Sequence, residues 1–196
     1  MTRAPGTCAA LACALVAACV GPALSPVESL GEVGSDQAVI VGRVELLPPL
    51  AKGEQDFKNM VGTDMLRNKV LLITAEKWRR LSEAPERADY EDRIEAPLEQ
   101  TFFVRGKNRP FYILIGELWL SAGDKAYFPA GFRIDVRSTD KAVYIGTLRY
   151  RRDEFFQFTK REVVDDYERA NAEFRKKFGS KYALRKALVT SVNDKK

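Results

Sequence analysis

Residues 132–149, FRIDVRSTDKAVYIGTLR, decide the class of fold. Phe132, Ile134 and Val136 alternate with Arg133, Asp135 and Arg137, the period of two of a strand with one face buried and one in water. Ser138-Thr139-Asp140-Lys141 has turn composition, and Ala142–Arg149 starts a second run of β-branched and aromatic residues. The expectation here is a hairpin. Upstream, Pro110–Leu120 (PFYILIGELWL) is apolar on both faces, as a doubly covered central strand would be. Ala38–Leu47 (AVIVGRVELL) sets Ile40, Val44 and Leu46 on one face and stops at Pro48-Pro49, where the ladder loses its N–H donors. Lys69–Ala75 (KVLLITA) and Glu99–Val104 (EQTFFV) are shorter runs, the second ended by the turn-like Arg105-Gly106-Lys107-Asn108. Together these predict a mainly β chain, an antiparallel β-sandwich of about 6–8 short strands.

One helix is expected near the end. Thr159 with Glu162 has capping-box spacing, and Val163, Tyr167, Ala170, Phe174 and Phe178 form a stripe at helical intervals. Glu162, Asp165 and Asp166 at the start, Arg175, Lys176 and Lys177 at the end, and Gly179 beyond them suit the dipole and a C′ glycine. The pattern predicts one long C-terminal α-helix over residues 160–178. Tyr182–Val192 is a further short element, helix or strand. Gln55–Asn68 and Ser82–Pro97 are polar; the second reads as a charged surface loop or a frayed helical turn.

Composition narrows the chemistry. With 196 residues, 45% hydrophobic and 30% charged, the chain has enough apolar content to fold and is not of disordered composition. Histidine is absent, and the three cysteines all lie within the first nineteen residues, so the body can hold neither a Ser-His or Cys-His nucleophile nor a His/Cys zinc site. No cofactor or metal is called for. Carboxylates remain: Asp89, Glu91 and Asp92 cluster, and Asp165 adjoins Asp166, but neighbours on a helix point about 100° apart and do not converge. The net charge is +5. Arg149, Arg151 and Arg152, interleaved with Tyr150, are the candidate anion-binding residues; the competing reading is a solvated strand face. Trp78, Trp119 and Tyr127 are candidates for contact with a glycan or small ligand, or belong to the core and its edge.

The amino end carries an address. Arg3 and the terminal amine precede Cys8–Ala18 (CAALACALVAA), an apolar run worth about 16 Å of helix, too short to span a bilayer of about 30 Å. A short positive region, a short apolar run and small closing residues describe a signal peptide, residues 1–18. The closing Val16-Ala17-Ala18-Cys19 resembles the bacterial lipobox. In lipoproteins of that kind the cysteine thiol takes a diacylglycerol and cleavage follows before it, here between Ala18 and Cys19. The resemblance implies attachment to the lipid bilayer through acylated Cys19. Val20, rather than aspartate, then favours the outer membrane, facing the periplasm. Residues 19–37, rich in Gly, Pro and Ser, are expected to be a flexible linker with a reach of roughly 25 Å. Residues 38–196 are expected to form a single β-rich domain.

AVIVGRVEL, FYILIGELWL, PAGFRIDV and KAVYIGTLRY together resemble the prealbumin-like or carboxypeptidase-regulatory-like sandwich of envelope lipoproteins. That resemblance implies a non-enzymatic binding or scaffolding module with an envelope protein or polymer as partner. Export argues against nucleic acid. The alternatives are a carboxylate-dependent hydrolase and a glycan- or small-ligand-binding module acting in the envelope.

Overall fold

The computed structural model describes residues 22–58, 64–78, 92–121 and 124–192. Two mostly antiparallel five-stranded sheets enclose one apolar core, a sandwich-like architecture. The first sheet has the order β5 (Asp92–Pro97), β4 (Lys69–Ala75), β7 (Phe111–Trp119), β8 (Lys125–Ile134) and β12 (Thr190–Ser191). The second runs β6 (Thr101–Lys107), β1 (Gln37–Leu47), β9 (Ala142–Arg152) and β10 (Phe158–Val164), with β11 (Arg185–Lys186) beside β10 on the same edge of β9. A small ribbon of β2 (Asp56–Lys58) and β3 (Asp64–Leu66) follows the four-residue α1 (Lys52–Gln55).

The alternation expected at Phe132, Ile134 and Val136 holds, and all three are buried. The expected hairpin does not form. Ser138–Lys141 does turn, closed by Asp140, which accepts from the Arg137 amide at 2.7 Å and from Arg185 Nε at 2.8 Å. Its flanking strands, however, go to different sheets. β8 is already paired with β7, and β9 lies between β1, parallel to it, and β10. Ile134 thus shares the core with Val143 and Ile145 of the facing sheet instead of lying beside them in a ladder.

A bulge adjusts β9 to that core. Pairing with β1 jumps from Val41–Tyr144 to Arg43–Thr147, leaving two residues opposite Gly42. Gly146 takes φ +106° there, and a Cβ on it would lie 3.0 Å from Val163 Cγ1. The extra residue lets Val143 and Ile145 on one side, and Leu148 and Tyr150 on the other, all face inward.

The C-terminal helix is shorter than expected. α2 spans Tyr167–Phe178, twelve residues, not 160–178. Residues 158–164 are instead strand β10, because the free edge of β9 offers a complete ladder and Val163 and Val164 are β-branched. Thr159 and Glu162 therefore cap nothing: Glu162 pairs with Lys160 and lies 3.9 Å from Arg151. Gly179 ends the helix as expected, at φ +78°, its amide bonded to the Arg175 carbonyl. Ala170 and Phe174 bury the helix face against Val39, Val41, Ala142 and Tyr144 on the outside of the second sheet.

The stretch expected to be a free linker is, from Pro22 onward, laid on the body. Leu24 donates its amide to the Arg93 carbonyl of β5 at 2.7 Å, and Val27 donates to Phe103 of β6 at 2.9 Å. Val27 is buried with Val39 and Phe174. One apolar anchor and a row of backbone bonds outweigh the Gly/Pro/Ser composition, and the segment stitches the edge of one sheet to the edge of the other. Opposite it, residues 185–191 cross from β9 to β8 in the same way. Charged Ser82–Pro97 is in part strand: Asp92–Pro97 is β5, with Ile94 and Ala96 inside, while 82–91 lie outside the described residues.

Candidate functional site

Three clusters of charge follow from this architecture. The first lies on the outer face of the second sheet. The parallel register of β1 and β9 sets Glu45 beside Arg149, and α2 brings Arg169 over both. Arg149 donates to Glu45 Oε2 from Nε at 2.9 Å and Nη2 at 2.8 Å, and Arg43 Nε donates to Oε1 at 2.8 Å. Arg169 spans Glu45 at 3.3 Å and Asp166 at 2.6 Å. Burial opposes ionisation of Glu45, but the Arg149 hydrogen bond and the three guanidinium charges outweigh it and hold its carboxyl below the ordinary range. Such a carboxylate has no proton to give, and Arg149 is committed to it.

The other two expected anion-binding residues do not join Arg149. Alternation turns Arg151 to the outer face, where its side chain is exposed beside Glu162. Arg152 goes inward to form the second cluster, at the end of the sandwich where β1 finishes. Its side chain is 3% exposed. It donates to both Glu54 carboxylate oxygens, at 2.6 and 2.8 Å, and to the carbonyls of Pro48 and Pro49. Arg67 donates to the carbonyls of Glu54, Trp119 and Leu120. Both guanidiniums stack on Phe156, at 4.6 Å for Arg152 and 5.5 Å for Arg67. Phe156 takes φ +59°, a left-handed conformation that a bulky residue holds only where its surroundings impose it. The run Arg149-Tyr150-Arg151-Arg152 thus serves three environments, not one anion site.

The third cluster lies at the opposite end, in a cleft of about 250 Å³ between the starts of β1 and β5 and the ends of β4 and β6. Ala23, Leu24 and Ser25 form one wall; Arg105, Lys107, Arg109, Glu76 and Asp92 bring three cations and two carboxylates to the rest. Lys107 and Arg109 share Glu76, the lysine at 2.9 Å. The Lys107 hydrogen bond, helped by the charge of Arg109, pulls the Glu76 carboxyl below its ordinary value. Arg105 donates to a neutral group, the Glu32 carbonyl, at 3.0 Å. Sequence reasoning passed over these residues because Arg105-Gly106-Lys107-Asn108 has turn composition. The available signal was basic residues at 105, 107 and 109, the period that puts alternate strand residues on one side.

The aromatic candidates separate. Trp119 and Tyr127 are each 37% exposed. Lys125 sits 4.6 Å over the Trp119 ring and pairs with buried Glu117 at 3.0 Å. Trp78 lies 6.1 Å from the Tyr112 ring on the outside of the first sheet. Asp165 pairs with Lys186 and Asp166 with Arg169, so that doublet is divided between two partners. Ala18, Cys19, Asp89 and Glu91 lie outside the described residues. Among the described residues no group of His, Cys, Asp and Glu could hold a metal ion, and no helix is long and apolar enough to cross a membrane. The chain matches no protein-family model, and comparison with curated proteins and with solved structures finds no match.

Proposed function

We propose that this chain is a lipoprotein of the bacterial cell envelope, cleaved between Ala18 and Cys19, acylated on Cys19 and facing the periplasm from the outer membrane. Its folded body acts there as a non-enzymatic binding or scaffolding module for another envelope component. The observation that carries the reading is Val16-Ala17-Ala18-Cys19 closing an apolar run too short to span. Cys19 is also the single cysteine left once residues 1–18 are removed, and acylation gives it a use. Two or three acyl chains make a stable anchor where one does not.

Six carboxylates of the described residues, Glu45, Glu54, Glu76, Asp140, Glu162 and Asp165, are each held below their ordinary pKa by an arginine or lysine, as charges that fasten a fold are.

Cys19→Ala tests the anchor. Labelling by a fatty-acid probe should vanish, and the chain should leave the acylated membrane pool; unchanged labelling would refute the proposal. Crosslinking in intact envelopes tests the scaffold. A stoichiometric partner is the expected result, and recovery of the protein alone would count against it.

A further inference from the structure

We infer that the end of the sandwich bearing Arg105, Lys107 and Arg109 lies on the phosphate headgroups of the bilayer, so that the body is held against the membrane instead of standing off it. This rests on the proposal that Cys19 is acylated.

Reach comes first. The described chain begins at Pro22, whose carbonyl accepts from the Arg93 amide at 3.2 Å. Three residue steps separate it from Cys19, a span of at most about 11 Å when fully extended. The anchor is therefore within that distance of Pro22, which adjoins the wall formed by Ala23, Leu24 and Ser25. An eighteen-residue tether would have left the orientation free; one this short fixes which end meets the lipid.

Charge comes second. That end presents Arg105, Lys107 and Arg109 around the cleft against Glu76 and Asp92. Lys107 and Arg109 share one carboxylate and are 60% and 51% exposed, and Arg105 is held by a carbonyl, which leaves its charge uncancelled. Cations within a Debye length of an anionic leaflet are drawn to its phosphates. At the opposite end the conspicuous arginine is withdrawn: the Arg152 side chain is 3% exposed and committed to Glu54. Short reach and local basicity select the same end independently.

The test uses the full acylated chain reconstituted in vesicles, with amine acetylation as a footprint. Lys107 and Lys160 are equally exposed at 60%, each paired with one glutamate, and lie on different parts of the body. In vesicles of phosphatidylcholine mixed with phosphatidylglycerol, labelling of Lys107 should slow several-fold relative to detergent, while Lys160 labels at an unchanged rate. High salt, or Arg109→Glu, should restore Lys107 labelling without releasing the chain from the vesicles. An acylated, vesicle-bound chain whose Lys107 labels as fast as in detergent would overturn the inference and leave the anchor standing. A chain whose Cys19 carries no acyl mass, and which does not float with vesicles, would overturn the anchor and the inference with it.

Discussion

The two ends of the sandwich use arginine in opposite ways. At the closed end Arg152 is sealed among the Pro48 and Pro49 carbonyls, the Glu54 carboxylate and the Phe156 ring, and Arg67 caps three further carbonyls beside it. At the cleft end Arg105, Lys107 and Arg109 stand around open solvent with two carboxylates between them. A guanidinium that satisfies buried carbonyls acts as a fastener, because taking it away strands several polar groups at once. One that shares an exposed carboxylate adds little to stability and keeps its charge for something outside the fold. Composition counts both alike toward the net +5; burial separates them.

The contrast between the two ends is greatest at Arg152. Arg152→Ala should cost about 3 kcal/mol in urea unfolding, since it leaves Glu54 and two carbonyls without their partner. The same pair sets an acid dependence. The Arg152 hydrogen bond holds Glu54 below its ordinary pKa of 4.5, so its stabilisation is complete above that value and lost as pH falls toward the lower folded-state value. In Arg152→Ala that part of the acid dependence should be missing; an unchanged acid profile would show that the pair is not the fastener. A smaller effect of opposite sign is expected at Tyr150, whose buried hydroxyl has no hydrogen-bond partner among the described residues and whose burial pushes its titration up. Tyr150→Phe should raise the unfolding free energy by about 1 kcal/mol. Lys107→Ala with Arg109→Ala should leave the urea midpoint where it is, and a large drop would mean that the cleft end is structural after all.

Strands with a strong pattern were legible in the sequence. Lys69–Ala75 has the same bounds in both descriptions, and the runs at 38–47, 110–120 and 142–149 are β1, β7 and β9 to within a few residues. Each couples β-branched content to an unbroken apolar face. β5 was hidden because an edge strand keeps only Ile94 and Ala96 inward, and its Asp, Arg and Glu continue the charge of the preceding stretch. β10 carries a helical signature, since Thr159 and Glu162 have capping spacing; what decides is the vacant edge of β9, a long-range contact that no local window contains. The same holds for 132–149, where alternation gave the right faces while the choice between pairing and facing across the core depended on β1 and β7, far away in the chain. Of the sites, the arginine run was visible as charge, but its division among three surroundings was not. The cleft cations come together only through the meeting of β4, β5 and β6 with residues 23–25.

A peptide that joins a sheet as an extra strand needs a free row of N–H and C=O groups. At Arg93 of β5 and at Phe103 and Arg105 of β6 that row is taken up by the chain's own Leu24, Val27 and Ser25. Along β10 it is flanked by Lys160, Arg161 and Glu162, charges that discourage a newcomer. Under the proposed binding role, a partner adding a strand at these edges would have to displace residues 24–27 or meet the charges of β10, whereas one read by side chains on the faces and ends meets no such barrier.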